Sequence, residues 1–404
     1  MKEPQLRPQF ESIPSDWRSV PLKRLMRVTS GKEIPIEVPP SDTAVPVYGS
    51  GADPFKFTAK SISGEPSILF GRKGTLGQPY LVDPPFWAVD TAYIATPQEG
   101  IGLKYLYYLL HVFDWQPYVT NTAKPSLVAN DILPKKVPLP SEREQNSILL
   151  FLTRKLNEID GLIDKLQREV ELLERYRREL IAQTVTRGLD PDVPMKDSGI
   201  DWIGKIPSHW SENSLKSIIR RVSVKNKPER RVLSVERVNG VVDRETEGSP
   251  DNHNRLPDDL SGYLAVDRGQ FVMNKMKAWR GSYGVSKQDG IVSPAYYVFE
   301  LNHPNPDFFN WVIRSDAYVP FFRRDSYGIR TDQWDFKISA LRAIPFFTPS
   351  MNEQREIVAY LERETGILNL TISNINKQIE LLGKYRKQVI NDAVTGKVRV
   401  GGEA

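Results

Sequence analysis

The chain has 404 residues with no cysteine, 31 prolines, 40% hydrophobic and 26% charged residues, which predicts two or three ordinary globular domains. Zero cysteine excludes disulfide scaffolds, Cys-ligated zinc, iron–sulfur clusters and thiol nucleophiles; the polar opening Met1-Lys2-Glu3-Pro4, with no apolar run of about 18 residues, leads us to expect a cytoplasmic protein without a membrane partner. Fifty-five basic and 50 acidic residues leave a net charge of +5, so a polyanion site has to be made by gathering a few Arg and Lys on one face.

Residues 1–140 contain Ile13-Pro14-Ser15-Asp16-Trp17, then Leu22-Lys23, then short strand-prone runs such as Ser67-Ile68-Leu69-Phe70 and Tyr93-Ile94-Ala95 among Gly and Pro turns. A helical stretch, Leu103 to Leu110, follows. We read this region as a mixed, strand-rich α/β domain. At Ser141 the pattern changes. Ser141 and Glu144 have the Ser-x-x-Glu spacing of a capping box. Leu149, Leu152, Leu156, Ile159, Ile163, Leu166, Val170, Leu173, Arg177 and Leu180 then follow in alternating steps of three and four. That period predicts a first spacer helix over 141–187, stopped by Gly188. Residues 188–205, with Asp190-Pro191-Asp192, form a linker.

The chain then repeats itself. Ile206-Pro207-Ser208-His209-Trp210 matches Ile13 to Trp17 at an offset of 193 and opens a second domain, 206–349, with a predicted strand at Tyr296-Tyr297-Val298-Phe299. Inside the domains the match is local. Lys73-Gly74-Thr75-Leu76-Gly77 aligns with Arg280-Gly281-Ser282-Tyr283-Gly284, and Val89-Asp90-Thr91-Ala92-Tyr93 with Val292-Ser293-Pro294-Ala295-Tyr296. Pro349-Ser350-Met351-Asn352-Glu353-Gln354 repeats Pro140 to Gln145 at an offset of 209 and starts a second spacer helix over 350–396, leaving a tail at 397–404. Its seam, including Leu361, Leu368, Ile372, Ile375 and Leu382, has the register of Leu152, Ile159, Ile163, Leu166 and Leu173, with Arg386 standing where Arg177 stands.

Two such helices each need a partner for a narrow apolar stripe, and each is the natural partner of the other. A pseudo-twofold would make them an antiparallel coiled coil with the two strand-rich domains at opposite ends. For Arg177 and Arg386 we favour snorkelling at the end of the packed region over a register-setting pair with an acid on the opposite helix. Glu158, Asp160, Asp164, Arg168 and Glu171 lie on faces available to partner proteins.

Catalytic motifs occur only in poor contexts. Asp83-Pro84-Pro85-Phe86 has the form of an amino-methyltransferase signature, with Tyr48-Gly49-Ser50-Gly51 as its would-be cofactor loop. A Gly-rich cofactor turn opens a helix, whereas Pro54 follows Gly51 and no helical period comes after it. Asp307 and Asp335-Phe336-Lys337 make a loose nuclease-like set, and His111, His209, His253 and His303 show no metal-ligand spacing. We expect no catalysis and no metal in this chain, with a DNA adenine methyltransferase using Asp83 to Phe86, or a coiled-coil scaffold that binds no DNA, as alternatives.

The segment Asp197-Ser198-Gly199-Ile200-Asp201-Trp202-Ile203-Gly204-Lys205-Ile206-Pro207-Ser208-His209-Trp210 resembles the specificity subunit of Type I restriction-modification systems. Pro138-Leu139-Pro140-Ser141-Glu142-Arg143-Glu144-Gln145, Leu173-Glu174-Arg175-Tyr176-Arg177 with Leu382-Gly383-Lys384-Tyr385-Arg386, and Gly74-Thr75-Leu76-Gly77 extend the resemblance over nearly the whole length. It implies two target-recognition domains that each read half of a split, asymmetric site in double-stranded DNA, on helices that dock two modification subunits within a phage-defence complex. Those partners would carry the chemistry: S-adenosylmethionine on the methyltransferase, ATP and magnesium on a restriction subunit, and no cofactor here. This sequence departs from its own pattern where Gly396-Lys397 stands for Arg187-Gly188, and its second domain is the longer.

The geometry is compatible. A helix of 45 residues is about 68 Å long, comparable with about 20 base pairs, and two domains on one DNA face favour half-sites about one helical turn apart. Phosphate anchors and base-edge donors are sought in the shared turns: Arg72, Lys73 and Thr75 in the first domain, and Lys275, Lys277, Arg280 and Ser282 in the second. To these we add Lys124 and Ser126, and in the matching loop Tyr327, Arg330 and Thr331. Arg323-Arg324 reads equally well as a salt-bridged surface pair.

Overall fold

The computed structural model describes residue 10 and residues 13–244, 256–328 and 334–400. The chain forms two units, Met1–Gln167 with Asn376–Ala404, and Arg168–Ile375. Both boundaries fall inside the two long helices, Glu142–Arg187 (46 residues) and Met351–Thr395 (45 residues). Each unit therefore contains one strand-rich domain, the first part of one helix and the last part of the other.

In the first unit an antiparallel sheet orders its strands Met26–Ser30, Ala92–Pro97, Ser67–Gly71, Tyr80–Val82. Ser67–Gly71 is buried along its whole length, because both faces of the sheet are covered. Ile68 and Phe70 point into the main core with Tyr105, Leu106, Leu109 and Leu110 of the helix Leu103–Val112, while Leu69 faces a smaller cluster with Tyr80, Val82 and Phe86. This is the two-residue alternation of a strand, with apolar residues required on both sides.

The second unit repeats the order with Ile219–Val222, Tyr296–Leu301, Phe271–Asn274, Tyr283–Val285. Phe271, Met273 and Phe299 join the main core, and Val272 and Val298 the smaller one. Its helix Pro306–Arg314 has Asn305 as cap, the side chain accepting from Phe308 N–H at 3.0 Å, and proline at the first helical position. Phe308, Phe309, Val312 and Ile313 are its buried face. Residues 188–205 fold onto this unit: Met195–Asp197 pairs with Lys205–Pro207, Ile203 is buried, and the Trp202 indole donates to Ala317 O at 3.0 Å.

The motifs that repeat in sequence meet in space. Trp17 Nε1 donates to Glu144 at 3.0 Å, and Trp210 Nε1 to Glu353 at 2.9 Å. The same two residues belong to the helix caps, Glu144 through both its carboxylate and its N–H and Glu353 through its N–H. Glu144 N–H donates to Ser141 Oγ at 3.3 Å and Ser141 N–H donates back to Glu144 at 3.2 Å; Glu353 N–H donates to Ser350 Oγ at 3.3 Å. Around each contact the end of the other long helix closes in. Gly396 packs on Pro14 and Trp17, Gly188 on Glu353 and Trp210, and both take positive φ. Arg399 adds bonds to Asp16 at 2.6 and 2.7 Å.

The long helices run antiparallel within each unit. In the first, Leu152, Leu156 and Ile159 share a core with Val389, Ile390, Ala393 and Val394, and in the second Val185 shares one with Ile357 and Leu361. Of the expected seam, Leu152, Ile159, Leu361 and Ile375 are buried; Ile163, Leu166, Leu173, Leu368, Ile372 and Leu382 are half-buried.

The seam arginines do not snorkel. Arg386 Nε donates to Asp160 at 2.8 Å, and Arg177 donates to Asn369. Asp160 and Asn369 stand 209 residues apart, as do the arginines, so one cross-helix contact is made twice, once as an ion pair and once as a hydrogen bond from a guanidinium to an uncharged carboxamide. A guanidinium is always charged and needs an acceptor once half covered. Asp160 is thereby withdrawn from the faces free for partners.

Glu144→Ala removes a cap bond and an indole acceptor, Glu353→Ala the acceptor of the Trp210 indole, and each should cost about 1–2 kcal/mol in urea unfolding with an unchanged m-value. Unmoved midpoints would mean that the motif contact contributes nothing. A double-mutant cycle on Asp160 and Arg386 should give a coupling of about 0.5–1 kcal/mol that shrinks at high salt. The Asn369–Arg177 cycle, with an uncharged acceptor, should respond much less to salt, and an equal salt response would contradict that difference.

Candidate nucleic-acid interface

In the first unit, Ser67–Gly71 ends in the turn Arg72-Lys73-Gly74-Thr75-Leu76-Gly77. Two glycines with positive φ bend it, and at Gly77 a side chain would collide with Trp115. Arg72 N–H donates to Thr91 O at 2.8 Å, and Leu127 N–H donates to Arg72 O at 2.9 Å. Lys73 bridges Ser126. The turn is thus held beside the loop carrying Lys124 and Ser126, and the expected residues of this domain come together. Their charges differ in availability. Arg72 lies over the Tyr93 ring at 5.5 Å, Lys73 is paired with Asp90 at 2.9 Å, and Ser126 bonds Thr120 at 3.2 Å. Thr75 and Lys124 are exposed.

In the second unit, Phe271–Asn274 ends at Lys275. Lys275 N–H donates to Ala295 O at 3.3 Å, and Phe336 N–H donates to Lys275 O at 3.1 Å. These are the two bonds of Arg72, so Lys275 is its structural equivalent and Phe336 that of Leu127. The structure does not keep the sequence alignment of Arg280-Gly281-Ser282-Tyr283-Gly284 with Lys73 to Gly77. Gly74 and Gly77 both lie in the turn, whereas Gly284 lies in a strand opposite Val272. A shared Gly-x-x-Gly spacing therefore arises from two different local structures.

Lys277 and Arg280 are exposed, Lys275 is half-buried, and Ser282 is 5% exposed, which takes its hydroxyl out of the reachable set. Tyr327, 57% exposed, sits in the hairpin Ser326–Tyr327 with Asp335–Phe336, and Lys337 lies over its ring at 5.1 Å. Arg330 and Thr331 lie outside the described residues. Arg324 is paired with Asp325 at 2.8 Å. Lys337, Trp279 and Trp334 were not singled out as contacts from sequence. The only signal was aromatic residues beside Arg280 and Lys337.

The would-be catalytic motifs are built into structure. Phe86 is fully buried in the small cluster, and the strand Lys56–Thr58, rather than a helix, follows Gly51. Burial and Arg386 lower the pKa of His111, which bonds Tyr107 at 3.0 Å, and burial lowers that of His303. Among the described residues no group of three or more His, Asp or Glu is placed to hold a metal, and no helix is long and apolar enough to cross a membrane.

The family described as the Type I restriction modification DNA specificity domain matches residues 14–172. The chain is 26% identical over 286 residues to the Type I restriction enzyme MjaVIII specificity subunit of Methanocaldococcus jannaschii, covering 66% of this chain and 62% of that protein. It is 19% identical to the Type I restriction enzyme EcoDI specificity subunit of Escherichia coli, covering 96% of this chain and 89% of that one. A solved chain of a type I R-M system superposes with a TM-score of 0.60 at 14% identity, covering 96% of this chain and all of the other, a likeness of fold. The matched domain holds the first Trp–Glu contact and its helix, and the second copy of that contact recurs at Trp210 and Glu353. Residues 14–172 thus match the Type I restriction modification DNA specificity domain, and the chain as a whole is similar to Type I specificity subunits along its length.

Proposed function

We propose that this chain is the DNA-reading subunit of a Type I restriction-modification complex. Its two strand-rich domains each read one half of a split, asymmetric DNA site and are carried on the two long helices as an antiparallel coiled coil with pseudo-twofold repetition. The observation that carries the reading is the matched pair of turns. Arg72 and Lys275 occupy one backbone position in two domains of the same strand order, with cationic and hydroxyl side chains around them. Such turns supply phosphate anchors and base-edge donors. Because the residues around the two positions differ, the half-sites differ.

The chain contributes recognition and no chemistry. Two modification subunits, adenine-N6 methyltransferases using S-adenosylmethionine, dock on the helices, and restriction subunits using ATP and magnesium join them. A docking position is favoured by a repeated exposed patch. Leu172 and Tyr176 are 59% and 55% exposed, and their equivalents 209 residues on, Leu381 and Tyr385, are 54% and 45% exposed. A leucine and a tyrosine at i, i+4 share one helix face, and repetition gives each unit one such patch.

Deleting the gene should remove one split adenine-methylation motif from the host genome, read by long-read sequencing; an unchanged methylome with all subunits expressed overturns the reading. Arg72→Ala with Lys124→Ala should weaken cognate DNA binding by the complex about 10-fold, through contacts to one half-site only. Leu172→Asp with Leu381→Asp should abolish capture of the modification subunits while leaving the fold intact by circular dichroism.

A further inference from the structure

The second domain carries at its turn something the first lacks. Counted from the matched backbone bonds, Trp279 stands where the first domain has Leu76, and Trp334 where it has Pro125. The two indoles are 5.3 Å apart at 54°, so neither ring covers the other face to face, and both are half-buried. Arg280 lies 4.3 Å over the Trp279 ring. Met276, 38% exposed, and Tyr327, with Lys337 over its ring, belong to the same pair of loops.

The charge around them also differs. Lys73 in the first domain is held by Asp90, but the backbone bonds match Thr91 to Ala295, one residue beyond the Pro294 that the sequence alignment gave, so the position of Asp90 is taken by Pro294. Among the described residues Lys275, Lys277 and Arg280 form no ion pair, and Asp335 is the acid of the adjoining hairpin. A pair of half-buried indoles among cations, with Arg280 over one face of Trp279, suits a flat, electron-rich ring system attached to a phosphate chain. A nucleobase inside an intact duplex offers only its edge, so indole faces gain most from a base that has left the stack.

We propose that Trp279 and Trp334 form a stacking platform for one unstacked base in the half-site read by the second domain, with Lys275, Lys277 and Arg280 on the flanking phosphates. This rests on the DNA-reading function above. The two domains then read their half-sites differently, the second holding an unstacked base on its own side chains and the first having no such platform.

The test uses the complex assembled from the full chain and its modification subunits, with cognate duplexes carrying a single abasic site at each position of the second half-site in turn. Trp279→Ala and Trp334→Ala should each weaken cognate binding about 10-fold, and Trp279→Phe and Trp334→Phe should restore most of it. One abasic position should cost a similar factor and cost nothing further in the alanine variants. Should an alanine variant fail to assemble, Trp279→Leu and Trp334→Leu carry the same cycle. Losses that multiply at every abasic position, or leucine variants that bind like wild type, overturn the platform while the DNA-reading function stands. A base turned out by the methyltransferase itself would give a position whose abasic effect persists unchanged in the tryptophan variants. A wild-type complex that prefers no sequence overturns both.

Discussion

Everything else in each unit is arranged around one carboxylate. Glu144 accepts the Trp17 indole and closes the cap at Ser141; Glu353 accepts the Trp210 indole and bonds Ser350. A glutamate at the third position of a helix has only a short reach. Holding the indole from the capped first turn fixes where a domain begins relative to where its helix begins, although 127 and 143 residues separate the partners. The glycine that ends the other long helix packs on the same tryptophan. One small cluster thus joins three segments, and the chain makes it twice.

That cluster explains why the repeat was legible in short motifs and little else. Ile-Pro-x-x-Trp and Pro-Ser-x-x-Glu persist because they are two sides of one contact, and the seam persists because an aliphatic stripe of alternating three and four steps is the only pattern that two helices can bury. The sheets were much less legible. Ser67–Gly71 is buried on both faces, so its apolar run carries no alternation for the sequence to reveal. The second domain keeps the strand order while replacing nearly every side chain, which satisfies the same core with Phe271 and Met273 in place of Ile68 and Phe70.

The candidate contacts show where pattern matching fails physically. A Gly-x-x-Gly spacing in both domains suggested one turn, yet in the second domain its last glycine is a strand residue. Backbone hydrogen bonds identify equivalence where side chains cannot, because the bonds of Arg72 and Lys275 are set by the sheet and not by what the turn contacts. With Lys275 at the position of Arg72, the tryptophans fall opposite Leu76 and Pro125, and the contrast between the two domains becomes visible. In the sequence the only hint of it was aromatic residues beside Arg280 and Lys337.

The seam arginines follow from the same logic of a narrow interface. A stripe made wholly of Leu, Ile and Val packs almost as well after slipping by a heptad, since each knob meets another aliphatic hole. A guanidinium halfway into that stripe does not tolerate slippage, because an unpaired, partly desolvated charge is costly. Only one register sets Arg386 against Asp160, and the equivalent register sets Arg177 against Asn369. The ion pair and the bond to the uncharged carboxamide differ in strength but exclude the same alternatives. Asn369 can therefore stand where the other copy has Asp160: what the position has to supply is an acceptor at one depth on the facing helix, and the carboxamide oxygen meets that requirement as well as the carboxylate.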